Sequence, residues 1–178
     1  MKLMFNIFLA IFILSQTAHC QLLNTENLKN QTYYESTLNG MVIRDPHSIE
    51  KVLKTTKDLI DMEDEETEIV SGNGKQLLKM IFLPGDITNQ FSQFKVEYTT
   101  NNQNIDLKID NDEFCTGKGI KLGLTEKEVT NLLGEPYELK YQNQLKVYWY
   151  RPEEGLYFGN YYFQDNKLIK FWFGFRYP

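Results

Sequence analysis

The residues best able to do chemistry in this chain are few and poorly spaced for it. The sequence holds two histidines, His19 and His47, and two cysteines, Cys20 and Cys115. If an amino-terminal leader is removed after Cys20, His47 and Cys115 alone remain. A Cys115–His47 pair is then the one nucleophile-and-base combination available, and nothing beside either residue matches a cysteine-hydrolase pattern. His47 is expected in the first turn of a helix, where the helix dipole disfavours the imidazolium. A solitary Cys115 reads more simply as a small buried hydrophobe. No serine sits in a nucleophile elbow, and the His and Cys spacing fits no usual zinc site. The acids from Asp61 to Glu68 lack the glycine and alternation of a calcium loop and read as a solvated loop. Gly72-Asn73-Gly74 reads as a turn, without the spacing of a phosphate-binding loop. The sequence thus assigns no catalytic residue, no metal ligand and no cofactor, and predicts a protein that is not an enzyme. Carboxylate pairs of the glycosidase kind need a separation of about 5–10 Å that a sequence does not reveal.

The elements that would position these residues follow from hydrophobic periodicity. Met41-Val42-Ile43 predicts a short strand. Asp45-Pro46 then starts a helix, with Asp45 as N-cap and Pro46 at the first helical position. Ile49, Val52, Leu53, Thr56 and Ile60 form its apolar stripe to about Met62. Leu77–Leu83 and Phe91–Tyr98 predict strands around the Pro84-Gly85-Asp86 turn, and Ile105, Leu107 and Ile109 alternate as another. In the second half Thr125 and Glu128 make a capping box for a helix carrying Val129, Leu132 and Leu133, which Gly134 ends and Pro136 prevents from resuming. Three strand-like runs follow: 145–151, 156–164 and 167–175, the last two joined by Asp165-Asn166. These elements predict an α+β fold, a helix packed on an antiparallel sheet.

Placing Asp45 on Thr125, 80 residues later, brings the caps, helix faces, Pro84-Gly85-Asp86 and Gln164-Asp165-Asn166 turns, and Phe91 and Phe171 into register without a gap. That register allows two tandem helix-plus-sheet units, and equally a chance agreement of two generic patterns. The domains read as a leader over 1–20, a polar lead-in over 21–37, a first unit over 38–112 and a second over 113–178.

Met1-Lys2 and the apolar run from Leu3 to Leu14 predict a secretory signal, too short to cross a bilayer. Cutting after Cys20 leaves Gln21 as the amino terminus. Cutting after Ala18 is a poorer alternative, because Gln16 then fills a small-residue position. Acylation of Cys20 as a lipoprotein anchor is a third reading, against which His19 stands where Gly, Ala or Ser is expected. Export to the periplasm or the medium follows, or an outer-membrane lipoprotein if Cys20 is acylated. The chain carries a formal charge of −5 with no basic cluster, which speaks against nucleic acid and against a polybasic membrane patch. Membrane attachment is expected only through a lipidated Cys20. Asn30-Gln31-Thr32 is a glycosylation sequon that matters only in a eukaryotic secretory pathway.

The run Gly123-Leu124-Thr125-x-x-Glu128-Val129-x-x-Leu132-Leu133-Gly134-x-Pro136, then Tyr148-Trp149-Tyr150, then Tyr161-Tyr162-Phe163-x-Asp165-x-Lys167, resembles the SmpA/OmlA family. That family includes the small lipoprotein of the outer-membrane β-barrel assembly machinery. The resemblance covers roughly residues 119–175, with Leu124 in place of the usual Met. Used twice, such a unit is similar to the β-lactamase inhibitor protein fold. The resemblance implies an envelope-assembly or binding module, and transfers no partner-contact residue.

Strand alternation predicts Val147, Trp149, Tyr161, Phe163, Ile169, Phe171 and Phe173 towards the helix. Tyr148, Tyr150, Tyr162 and Trp172 then face the other way beside Lys170, as a candidate surface for a protein partner. The alternative is that the first half of the chain covers them. The functional expectation is an exported non-enzymatic binding or envelope-assembly module. A soluble inhibitor of an enzyme comes second, and a hydrolase third.

Overall fold

The computed structural model describes residues 34–53, 66–100, 105–151 and 156–176. The expected leader, Cys20, the sequon, most of the expected lead-in, residues 54–62 of the expected first helix and the start of the acidic run lie outside them.

The chain begins with a two-stranded hairpin, β1 (Thr37–Leu38) and β2 (Met41–Val42), followed by helix α1 (Pro46–Leu53). Asp45 caps α1 as its sequence requires, its carboxylate accepting from the backbone of His47 at 3.1 Å and Ser48 at 3.4 Å. Strands β3 (Glu66–Val70), β4 (Gln76–Ile81) and β5 (Gln93–Tyr98) come next, then helix α2 (Glu126–Leu133). Strands β6 (Glu138–Gln142), β7 (Leu145–Tyr150), β8 (Tyr157–Gln164) and β9 (Lys167–Phe175) complete the chain. All seven long strands form one antiparallel sheet, ordered β3-β4-β5-β9-β8-β7-β6.

This overturns the expected α+β class. Of the described residues 41% are strand and 13% helix, so the fold is mostly β, and the two helices among them are short patches rather than a layer. Two runs explain the difference. The end of the acidic run, Glu66 to Glu68, expected in a loop, belongs to β3 (Glu66–Val70), where Glu66 and Glu68 flank Lys79 on one face while Thr67 and Ile69 turn to the core. Glu138–Gln142 is an edge strand whose polar and apolar residues alternate. Conversely, Ile105 to Ile109 is no ladder strand: Val70 and Lys108 make a single parallel bridge.

At the 80-residue offset several of the described elements overlie one another. The described part of helix α1 maps onto α2, β3 onto β7 and β4 onto β8. Strand β9 starts six residues earlier than β5 would place it, because a two-residue turn at Asp165-Asn166 replaces the 82–92 loop. Both turn residues have positive φ, 48° and 60°, as a tight hairpin demands. The two halves meet at β5 and β9, paired from Gln93↔Gly174 to Glu97↔Lys170, so one continuous sheet serves both.

The core lies on one face of that sheet. Ile69, Leu78, Met80, Phe94, Val96, Phe171, Phe173, Tyr161, Phe163, Tyr148 and Tyr150 line it. Ile49 of α1, Val129 and Leu133 of α2, Leu38 and Met41 of the hairpin, and Phe114 and Ile120 of the connecting segment join the same cluster. That segment is stitched to the hairpin by Asn39, which bonds Cys115 with both its backbone and its side chain. The capping box forms as its sequence predicts: Thr125 accepts from the Glu128 amide and Glu128 accepts from the Thr125 amide. A register shift between Tyr162 and Phe163 pairs Phe163 with Leu168. Leu168, fully buried, therefore takes the inward place expected of Ile169.

Candidate functional site

The four aromatics expected to share a binding face are divided between the two faces. Tyr148 pairs with Tyr161 and Tyr150 with Gly159, so both tyrosines fall on the core face. They are 7% and 1% exposed. Tyr148 donates to the Glu126 carboxylate at 2.6 Å, at the start of α2, and Tyr150 donates to the Gly134 carbonyl at 2.9 Å, at its end. The two phenols thus span the helix and satisfy its polar ends. Burial raises the Glu126 carboxyl, but hydrogen bonds from Lys146 and Tyr148 outweigh that and hold it below its ordinary value.

Tyr162 and Trp172 do lie on the outer face, beside Lys170, half-buried. Their companions there are Trp149 and Phe158, one of which was expected inside. The run Leu-Lys-Val-Tyr-Trp-Tyr puts large apolar groups on both alternations, so its pattern does not reveal which phase faces in. The tyrosines go inside because hydroxyls there find partners at both ends of α2.

The outer face is an aromatic and charged band with its groups held in place by one another. The Lys140 ammonium lies 3.5 Å and the Arg151 guanidinium carbon 4.1 Å from the centre of the Trp149 ring. Lys170 lies 5.0 Å from the Tyr162 ring centre. Trp172 stands edge-on to Phe158 at 5.2 Å and donates from Nε1 to Gln93 at 3.0 Å. Glu97 lies between Lys95 and Lys170, at 3.5 and 3.6 Å. Burial, then the charge of Lys95, lowers the Lys170 ammonium, with Glu97 opposing. Leu77, Val147 and Phe158 are buried on this face, outside the core cluster. Such a band offers rings with ordered polar rims, suited to non-covalent recognition.

Two other clusters carry unusual polar groups. Glu35 is buried under the sheet, where Thr116 donates to it at 2.5 Å. Burial raises its carboxyl to about 7, against the pull of Thr116 and Lys118. The fully buried Tyr161 hydroxyl has no hydrogen-bond partner among the described residues, and burial and then the Glu35 charge push its pKa well up. Its ring lies across Gly159, where a Cβ would come within 2.8 Å of it. The second is a cavity of about 230 Å³ lined by Arg44, Pro84, Asp86, Ser92 and Phe175 among others. Arg44 is engaged there, 3.8 Å from Asp86 and 4.7 Å from the Phe175 ring centre, while Ser92 donates to Asp86 at 2.8 Å. Nothing in the sequence singled out Glu35, whose partner Thr116 lies 81 residues away.

Cys115 is disulfide-bonded rather than a free thiol, so it is not available as a nucleophile. His47 is 93% exposed on α1 and faces Glu50 at 3.8 Å, so the suggested pairing with Cys115 does not exist. Among the described residues no group of three His, Cys, Asp or Glu is placed to hold a metal, and no helix is long and apolar enough to cross a membrane.

No family model matches the chain, and no curated protein matches it. Among solved structures it is similar to a DUF4309 family protein, YjgB, from Bacillus subtilis. Identity is 10%, the match covers 78% of this chain and 84% of that chain, and the TM-score is 0.45. A likeness at that level carries no argument about activity or partners.

Proposed function

We propose that the chain is an exported, non-enzymatic binding or envelope-assembly module that takes a protein partner on the outer face of its sheet. Export rests on the amino-terminal pattern of Lys2 and the apolar run that follows it. The envelope role rests on the resemblance of residues 119–175 to the SmpA/OmlA family. The single observation supporting the surface is the outer band itself. Trp149, Tyr162 and Trp172 stand half-buried among charged neighbours that hold their rings in place. Aromatic anchors with polar rims are where binding energy concentrates.

The experiment is a quantitative affinity purification of the tagged chain from its own cells. Partner recovery with Trp149→Ala is compared with Ile87→Ala, an exposed position remote in sequence from the band. Trp149→Ala is expected to lower recovery of a specific protein at least about tenfold, as truncation of an anchor aromatic does. Ile87→Ala leaves it unchanged. Equal recovery with both variants would remove the outer face as the binding surface. If the captured protein is an enzyme inhibited by the chain, the inhibitor reading takes the place of assembly on the same surface.

A further inference from the structure

The sheet ends at β6, and among the described residues no strand pairs with its outer edge. Asn143 and Gln144, at φ 50° and 67°, make a two-residue turn that closes on the pair Gln142↔Leu145. In such a hairpin the closing pair exchanges both backbone hydrogen bonds, and bonded and non-bonded pairs then alternate. Gln142, Lys140 and Glu138 therefore bond to β7. Tyr141, Leu139 and, just before the strand, Tyr137 point their N–H and C=O groups outward.

The same three residues carry the largest exposed apolar stripe of the sheet. Leu139 and Tyr141 are 44% and 74% exposed on one face of the strand, and Tyr137, just before it, is 66% exposed. A free hydrogen-bonding edge with an apolar stripe beside it is a template for another strand. Lysine commonly guards such an edge, but here the Lys140 ammonium is drawn onto Trp149 and onto Glu138 at 3.1 Å.

We infer that β6 pairs antiparallel with β6 of a second copy of this chain, about a two-fold axis at Leu139. Charge selects both the occupant and the register. With Leu139 opposite Leu139 of the partner subunit, Glu138 lies opposite Lys140 of the partner subunit, and Lys140 opposite Glu138 of the partner subunit. Tyr137 and Tyr141 fall opposite each other across the axis. All the outward backbone groups of Leu139 and Tyr141 then find partners. Sliding the pairing to centre on Lys140 would set two ammonium groups face to face, which disfavours it. The two sheets become one of fourteen strands. An interface built on one short strand lies at the small end of specific interfaces, so the dimer exchanges with monomer.

Sedimentation equilibrium of the chain purified from its own cells tests this, with the fold of each variant checked by circular dichroism. Wild type is expected to show a reversible monomer–dimer equilibrium. Leu139→Pro leaves the β6–β7 bonds intact but removes an outward donor, and is expected to abolish the dimer. Glu138→Lys places like charges opposite each other twice and is expected to weaken it roughly tenfold. The double variant Glu138→Lys with Lys140→Glu restores the attraction and recovers most of the affinity. A chain monomeric up to about 1 mM, where even weak association is populated, overturns the inference. So does a dimer unmoved by the charge reversal. The charge cycle decides alone if Leu139→Pro fails to fold.

Discussion

Replacing Tyr150 with alanine is expected to destabilise the protein by about 3–5 kcal/mol, the range for truncating a buried aromatic. The ring packs edge-on against Tyr161 at 5.4 Å, and its hydroxyl serves the last turn of α2 through Gly134. Removing it opens a cavity in the core face and orphans a helix carbonyl at once. Against a typical domain stability of about 5–15 kcal/mol, that loss leaves a marginal protein. Trp149→Ala, one residue away, removes only a half-buried ring and its cation contacts, and is expected to cost less than half as much. Urea denaturation of the two variants measures both. A larger loss at Trp149 than at Tyr150 would mean that β7 is slipped by one residue, which would exchange the two faces of the strand.

The second large effect is a dependence of stability on pH set by Glu35. Its carboxyl titrates at about 7 in the folded protein against 4.5 for the ordinary group. The folded state therefore holds a proton that the unfolded state releases earlier. The associated stability is fully present below about 4.5 and is lost as pH rises through about 7. A tenfold difference in proton affinity between the two states is worth about 1.4 kcal/mol, so the loss is on the order of 3 kcal/mol. Glu35→Gln keeps an acceptor for Thr116 and cannot ionise, so its stability is expected to stay nearly flat over that window. Glu126 and Glu128 work in the opposite sense: both are held below their ordinary values, so their contributions disappear as the medium becomes more acidic. Denaturation midpoints of wild type and Glu35→Gln from pH 4 to 8 check the expectation. Parallel curves would show that folding leaves the Glu35 carboxyl at its ordinary value.

What the sequence made legible was local. The Asp45 cap, the Thr125–Glu128 box, the Gly134 stop and the Asp165-Asn166 turn each depend on residues within a few positions of one another. The 80-residue spacing of the two helices was also visible, because helix faces and turns carry their own periodicity. The sheet was harder to read. Glu66 and Glu68 look like part of an acidic loop until Lys79, on the neighbouring strand, is seen to neutralise them. Glu138–Gln142 looks polar until β7 pairs with it and reveals the alternation of Leu139 and Tyr141. Undercounting strands in this way turned a mostly-β protein into an expected α+β one.

The candidate surface was half legible for the same reason. Tyr162 and Trp172 alternate cleanly with Tyr161, Phe163, Phe171 and Phe173, and their outward direction follows from the sequence. Tyr148-Trp149-Tyr150 carries large rings on both phases, so the direction of β7 depends on hydrogen bonds to α2 that only the fold supplies. Glu35 gave no local signal, since Thr116 and Lys118 lie more than 80 positions away in the chain.

The central claim is that the aromatic band of the outer face is accessible to a partner while the tyrosines of β7 are not. The chain has two tryptophans, Trp149 and Trp172, and both belong to that band. Acrylamide quenching of Trp149→Phe and Trp172→Phe, each leaving one reporter, measures their accessibility directly. Each remaining tryptophan is predicted to be quenched in the folded protein at a substantial fraction of its unfolded-state constant. Two tryptophans shielded until denaturant unfolds the chain would contradict the account, because the surface assigned to partner binding would then be interior.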